Sequence, residues 1–209
     1  VADQLCTIAQ VKARVFPAGV TDTADDALFT ELVEQVSSFI EGYTGRKLVP
    51  DNAATYVFDT DYGYVLRIPR GIRSVTSMGI ASMSHQPDTG GTYTTVAASA
   101  ILLRPRSGDL PEGWPSFEVW LSRATNATPL FGSIQNGATI TGNFGFAATP
   151  PEIQAVCIDA VVAAYAVRKM GASGVIGADD SAAVPWVRFF SRGSPQRATL
   201  DRYRYIGIG

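Results

Sequence analysis

The chain has 209 residues, 46% hydrophobic and 17% charged, with Lys+Arg at 17, Asp+Glu at 19 and a formal net charge of -2. High apolar content with little net charge excludes intrinsic disorder, and without a basic excess to neutralise phosphates a dedicated nucleic-acid binder is disfavoured. The length suits one domain, or one domain carrying a large insertion.

The first predicted helix is short, Ile8 to Val15. Thr7 is placed to cap it, and Pro17 and Gly19 stop it. A second helix is expected from near Thr23 to about Thr44, opening on Thr23-Ala24-Asp25-Asp26, a capping hydroxyl before two carboxylates at the positive end of the helix dipole. Leu28, Leu32, Val36, Phe39, Ile40 and Tyr43 recur at three- and four-residue steps and form its candidate core stripe, while Glu31, Glu34, Gln35, Ser38 and Glu41 take the other side. Gly45 ends it, having no Cβ to oppose a left-handed turn.

From Ala53 the periodicity shifts to two. Strands are expected at Thr55 to Phe58, Tyr64 to Ile68, Ser74 to Ala81, Thr92 to Val96, Ile101 to Leu103, Phe117 to Ser122 and Ala138 to Phe146. Asp61-Tyr62-Gly63 and Pro69-Arg70-Gly71 read as breaks between them. Helix returns at Thr149-Pro150-Pro151-Glu152, a capping box with proline at the first helical position. Ile153, Val156, Cys157, Ala160, Val161, Ala164 and Tyr165 form its buried stripe, and Gly171 closes it. A Gly/Ala/Ser/Asp-rich loop follows from Ala172 to Ala183, and Pro185 opens a last segment, Trp186 to Tyr205, helical at least in part.

The fold class these elements make is α+β: a mainly α-helical bundle with a large antiparallel β insertion, either a small sheet or a barrel. The expected parts are 1–52 (N-terminal helices of the bundle), 53–147 (β insertion), 148–184 (C-terminal bundle helix and loop) and 185–209 (a basic, aromatic docking segment). The longest apolar stretch, Ala160 to Val167, lies between Asp159 and Arg168 and falls far short of the roughly 20 residues a bilayer span needs, so no membrane partner is expected. No basic-then-apolar leader precedes the first helix, so no secretion signal is expected.

Little here asks for catalysis. The single histidine, His85, sits in a Ser-His-Gln-Pro-Asp loop, and no Gly-x-Ser-x-Gly turn offers it a nucleophile. Phosphate-cradling and dinucleotide fingerprints are absent. Asp59-Thr60-Asp61-Tyr62-Gly63 starts like a calcium loop but has glycine where the third ligand belongs; a turn is the better reading. Asp179-Asp180 lies in the flexible loop without further ligands. Cys6 and Cys157 make neither a disulfide framework nor a zinc site and read as small buried residues in a reducing compartment. No enzyme activity, metal or cofactor is expected.

Charge patterning points to partners instead. Neither Ala124 to Pro151 nor Ser74 to Pro87 carries a charged residue, and interface cores are depleted in charge; the alternative is a Thr/Asn/Gly-rich β region that is simply neutral. Residues 185–209 hold Arg188, Arg192, Arg197, Arg202 and Arg204 against Asp201 alone, a net +4, whereas residues 1–62 hold ten acids and four bases, a net -6. Interleaved with those arginines are Trp186, Phe189, Phe190, Tyr203 and Tyr205, and arginine with aromatics is the composition of interaction hot spots. Trp186, Arg188, Phe189, Phe190, Arg192, Arg197, Arg202, Tyr203, Arg204 and Tyr205 are therefore the candidate partner-binding residues, for an acidic protein surface first and DNA second.

The order of the pieces resembles the head–tail connector, or adaptor, proteins of tailed phages and gene transfer agents. The resemblance rests on Ile8-Ala9-Gln10-Val11-Lys12-Ala13; on Asp25-Asp26-Ala27-Leu28 followed by Val33 through Arg46; and on Ile68-Pro69-Arg70-Gly71-Ile72-Arg73-Ser74-Val75. It continues in Ile140-Thr141-Gly142-Asn143-Phe144-Gly145 leading to Pro151-Glu152-Ile153-Gln154-Ala155, and in Ala164 through Arg168. It spans about residues 5 to 80 and 137 to 170; the β segment between Met83 and Asn136 is longer than in short family members, and the end after Pro185 has no positional match. The resemblance implies a homo-oligomeric ring, a dodecamer, in the virion neck beneath the portal protein, assembled in the bacterial host cytoplasm. Such a ring extends the DNA channel, touches double-stranded DNA only transiently and docks a stopper or tail-completion protein, with the C-terminal arginines as the candidate portal contact. Two other readings are open: a ligand- or glycan-binding β module of a virion accessory protein, stacking on Trp114 and Trp120, and a hydrolase using His85.

Overall fold

In the computed structural model, residues 3–16, 23–81, 93–105, 110, 113–122, 130–171, 190–191 and 193–204 are described. The chain divides into a helical unit, 1–46 with 149–209, and a sheet unit, 47–148, inserted between them.

In the helical unit, α1 (Ile8–Val15) starts as the sequence expects: the Thr7 hydroxyl accepts from Gln10 N–H while the Gln10 side chain accepts from Thr7 N–H, satisfying two donors a helix start leaves open. Helix α2 (Asp26–Thr44) begins three residues later than expected. Thr23 makes a turn instead, its carbonyl accepting from Asp26 N–H at 3.1 Å, and neither carboxylate caps the helix. Asp25 is drawn to α3 (Pro151–Gly171) by Tyr165 and Lys169, and Asp26 pairs with Lys12 of α1. At the other end Gly45 takes the left-handed conformation, φ 65°, and its N–H closes on the Glu41 carbonyl.

The face α2 buries is rotated from the expected stripe. Phe29, Leu32, Val33, Val36, Ser37, Ile40 and Thr44 are buried, whereas Leu28, Phe39 and Tyr43 are only half-buried. Two polar residues enter this core because each finds a backbone partner: Ser37 Oγ accepts from Leu5 N–H at 3.1 Å, and Thr44 Oγ1 donates to the Ile40 carbonyl at 2.8 Å. Helix α3 keeps to its expected bounds and buries all seven expected positions, Ile153, Val156, Cys157, Ala160, Val161, Ala164 and Tyr165. Phe29 and Tyr165 pack ring to ring at 4.6 Å. The last described helix, α4 (Pro195–Tyr203), is capped by Ser194 and packs on α2 and α3.

The sheet unit holds β1 (Asp51–Thr60), β2 (Val65–Ala81), β3 (Tyr93–Thr95), β4 (Ile101–Arg104), β5 (Ser116–Leu121) and β6 (Ile134–Phe144). They form one antiparallel sheet in the order β1-β6-β2-β5-β4, with β3 pairing the far end of β2. The expected break at Pro69-Arg70-Gly71 is not there: β2 runs through it as a strand of 17 residues. The sequence signal is nonetheless physical. Pairing of β2 with β5 skips from Arg67↔Glu118 to Ile72↔Ser116, so Pro69, with no N–H to give a ladder, falls where the register slips. Gly71 sits in the same irregularity with φ 77°, and a Cβ there would meet Pro115 Cγ at 2.5 Å, so no other residue fits. Asp61-Tyr62-Gly63 does break the strands, as expected: the chain bends at Tyr62 between β1 and β2, and Gly63 bridges to Phe131.

One face of this sheet carries the core: Leu66, Ile68, Ile72, Met78, Ile80, Val119, Leu121, Phe131, Ala138, Ile140 and Phe144 are all buried in one cluster. Within it Phe144 lies edge-on to Tyr56 at 4.9 Å and 6.3 Å from Phe58.

Candidate interaction surfaces

The two charge-free stretches of sequence meet in the sheet. Strand β6 falls inside one and the second half of β2 inside the other, and they pair from Ser74↔Asn143 to Ile80↔Ala138. β1 flanks β6 on its far side, with Thr55↔Thr141 and Val57↔Thr139 in register. Away from the core, Thr55, Val57, Ser77, Thr139 and Thr141 therefore share one face. The Thr55 and Thr141 hydroxyls are 2.8 Å apart, and Val57 is 49% exposed, one of few large apolar side chains so placed among the described residues. These five side chains are uncharged, so covering them buries no charge of their own, although their hydroxyls must find partners in the interface.

The C-terminal residues divide into three groups. Trp186, Arg188, Phe189, Arg192 and Tyr205 lie outside the described residues. Phe190 and Tyr203, each 6% exposed, are spent on the chain's own core. Phe190 stacks on Phe39 at 5.1 Å, and Phe39 in turn stacks on Tyr43 at 6.4 Å. That explains why Phe39 and Tyr43 lie off the main α2 stripe: they form a second face that the C-terminal segment covers. Tyr43 anchors α4 further, its hydroxyl donating to Asp201 Oδ1 at 2.5 Å while the Arg197 and Arg204 guanidiniums stand 5.6 and 5.7 Å from its ring centre.

Arg197, Arg202 and Arg204 are the third group. Arg202 Nη1 reaches Glu152 at 3.4 Å and Arg46 Nη2 donates to the Arg204 carbonyl at 3.4 Å, but Arg202 and Arg204 are exposed and Arg197 is half-buried. Their charges remain at the surface after their stems have packed.

A polar seam ties α2 to α3. Asp25 accepts from Tyr165 Oη at 2.6 Å and from Lys169 Nζ at 3.0 Å; Glu31 accepts from both terminal nitrogens of Arg168, at 3.0 and 3.3 Å. The Tyr165 hydroxyl, then Lys169, hold the Asp25 carboxyl below its ordinary value, and Arg168 does the same to Glu31. A carboxyl depressed in the folded state contributes stability above the unfolded value, about pH 4, that is lost as pH falls through the native value. The melting temperature of the chain is thus expected to fall as pH drops from about 5 to below 3, and more shallowly in Asp25→Asn. Parallel melting curves for the two proteins would remove Asp25 from the seam.

His85 and Asp179-Asp180 lie outside the described residues. Trp114 packs edge-on to Phe146 at 5.2 Å. Trp120 donates through Nε1 to Glu118 at 2.7 Å and holds the Arg104 guanidinium 5.0 Å over its ring, so both indoles already have partners within the chain. Trp120 does border an open cleft of about 510 Å³ with Asp59, Asp61, Arg67 and Glu118. Among the described residues no three His, Cys, Asp or Glu side chains gather as a metal site, and no helix is long and apolar enough to cross a membrane.

No protein-family model matches the chain, and no curated protein does. Solved structures do. The chain is similar to one in the neck of an empty gene transfer agent particle computed with sixfold symmetry, at TM-score 0.56 and 18% identity over 96% of this chain and 90% of that one. It is also similar to a chain in the virion of a native gene transfer agent particle, at TM-score 0.51 and 18% identity with the same coverage. A third match, in the neck of a native particle computed with twelvefold symmetry, has TM-score 0.50 and 16% identity over 100% of this chain and 97% of that one. At such identities the likeness is one of fold, and it spans both units. The α+β architecture expected from the sequence is the one the chain adopts.

Proposed function

We propose that the chain is a structural head–tail connector of a tailed phage or phage-like particle and performs no bond chemistry. It assembles as a homo-oligomeric ring, a dodecamer, in the virion neck beneath the portal, extends the DNA channel and docks the next neck or tail protein. The observation that carries this reading is the fold match to a gene transfer agent neck chain over 96% of the sequence. Assembly takes place in the cytoplasm of a bacterial host, and contact with double-stranded DNA is transient, as suits a chain of net charge -2.

Two surfaces support the assignment. Ring subunits meet head to tail through two different patches, and the neutral face of Thr55, Val57, Ser77, Thr139 and Thr141 is suited to one of them. The portal contact is assigned to the outward arginines Arg197, Arg202 and Arg204, with Trp186, Arg188, Phe189, Arg192 and Tyr205 of the same segment. Phe190 and Tyr203 support that segment from beneath.

The test is native mass spectrometry and negative-stain imaging of the chain, alone and with portal protein. Closed rings are expected; a persistent monomer in the presence of portal refutes the reading. Val57→Glu with Thr141→Glu would bury unpaired carboxylates between subunits, and ring assembly should weaken by about tenfold or more. Val57 is exposed and Thr141 half-buried with its hydroxyl on Thr55, so the single chain should lose no more than about 1 kcal/mol per substitution. Rings that survive this double substitution would move the subunit contact elsewhere.

A further inference from the structure

The two cysteines are buried as the sequence suggests, but they are also neighbours. Cys6, 2% exposed, precedes α1; Cys157, fully buried, lies on α3. Their sulfur atoms are 3.5 Å apart across 151 positions of sequence. We propose that Cys6 and Cys157 are a modification site, two thiols poised to form a disulfide that staples the N-terminal segment to α3 when a peroxide or a small-molecule disulfide oxidises them. This does not depend on the connector reading.

The placement is held from several sides. Leu5, next to Cys6, is fully buried, and its N–H donates to Ser37 Oγ on α2 at 3.1 Å. Ser37 Oγ lies 3.8 Å from Cys157 Sγ, so segment, α2 and α3 meet at one point. A disulfide bond is about 2.0 Å long, leaving roughly 1.5 Å for the sulfurs to close from their present contact. An isolated buried cysteine serves as a small apolar filler; two in sulfur contact across the fold have a covalent product within reach.

The pair is asymmetric. Either sulfur can donate in the contact between them; with Cys157 as donor the Cys6 thiolate is favoured, which holds its pKa below the ordinary thiol value against the opposing effect of burial. That same donation and deep burial push Cys157 up. In that arrangement Cys6 is the attacking sulfur. With hydrogen peroxide, the Cys6 thiolate takes one oxygen as the O–O bond breaks, and the hydroxide released takes up a proton to leave as water. Cys157 sulfur then displaces the hydroxyl from the Cys6 sulfenic acid, and its thiol proton departs with that hydroxyl as a second water. Two thiols lose two electrons and one peroxide gains them. With a small-molecule disulfide, Cys6 forms a mixed disulfide that Cys157 resolves, releasing two small thiols. Both routes require a local opening of the N-terminal segment, so they run more slowly than at an exposed thiol.

The closed loop would enclose the whole sheet unit, and cross-links across long loops restrict the unfolded chain most. The full chain should be incubated with hydrogen peroxide or, separately, with glutathione disulfide, then alkylated, digested without reductant and analysed by mass spectrometry. The expected result is a peptide pair linked through Cys6 and Cys157, an intact mass lower by two hydrogens, and a melting temperature higher by roughly 10 °C that reductant reverses. Whichever oxidant produces the link identifies its class. Cys6→Ala and Cys157→Ala should each lose the link and the shift while keeping the circular dichroism of the reduced parent. Two thiols that stay alkylatable after prolonged oxidation, sulfinic acid without linkage, or links only between copies would each overturn the proposal.

Discussion

Phe144→Ala is expected to cost the sheet unit about 3–5 kcal/mol, read as a fall in the denaturant midpoint of its unfolding. The ring is fully buried and sits where β6 holds both neighbours at once, opposite Asp51 on β1 and Ile72 on β2. Removing it deletes apolar contact with Tyr56 and Phe58 and leaves a cavity. The ladders beside Phe144 carry a register shift on each side, yet closing the cavity would still need β1 and β2 to move against their regular pairing further along β6. Phe144→Leu keeps most of the volume and should cost less than about 1.5 kcal/mol. A loss under about 1 kcal/mol in the alanine variant would mean that the sheet core is not seated on this ring.

Local signals were legible wherever the cause was local. Thr7 with Gln10 brackets the start of α1, and the Ala-rich stripe of α3 has one buried face, so both helices keep their expected bounds and α3 its whole core set. The α2 reading failed for two non-local reasons. The carboxylates of Asp25 and Asp26 resemble a cap, yet Tyr165, Lys169 and Lys12 recruit them from elsewhere in the chain. Furthermore, α2 has neighbours on two sides, so its apolar residues divide between a main face on α1 and α3 and a second face under the C-terminal segment. A single-stripe reading merged them and placed Leu28, Phe39 and Tyr43 in the core while leaving out Phe29, Val33, Ser37 and Thr44.

Strand positions were legible from alternation, but strand order was not, since register is set by partners distant in sequence. That is why Pro69-Arg70-Gly71 read as an end rather than a slip within β2. The two neutral stretches were visible as composition, but their union as adjacent strands was not. Sulfur contact between Cys6 and Cys157 was hidden for the same reason, as the N-terminal segment has no periodicity to say which helix it meets.

Phe190→Ala is expected to destabilise the helical unit by about 3–5 kcal/mol, an effect that a segment serving only an external partner would not show. Composition presents the C-terminal arginines and aromatics as one hot spot; the structure assigns them different work. The Phe190 ring on Phe39, fully buried Leu200 and buried Tyr203 hold α4 against the bundle. Burial raises the Tyr203 hydroxyl above the ordinary tyrosine range, as it should for a ring doing structural duty. Arg202 and Arg204 point outward from the helix so fixed, and on the proposed docking role that rigidity would lower the entropic cost of binding. Arg202→Glu should therefore leave stability within about 1 kcal/mol, since an exposed ion pair with Glu152 contributes little, while weakening any acidic partner. Paired denaturation curves of Phe190→Ala and Arg202→Glu separate the two roles. If Phe190→Ala unfolds at the parent's midpoint, the segment is not held by that ring, and the rigid presentation of its arginines goes with it.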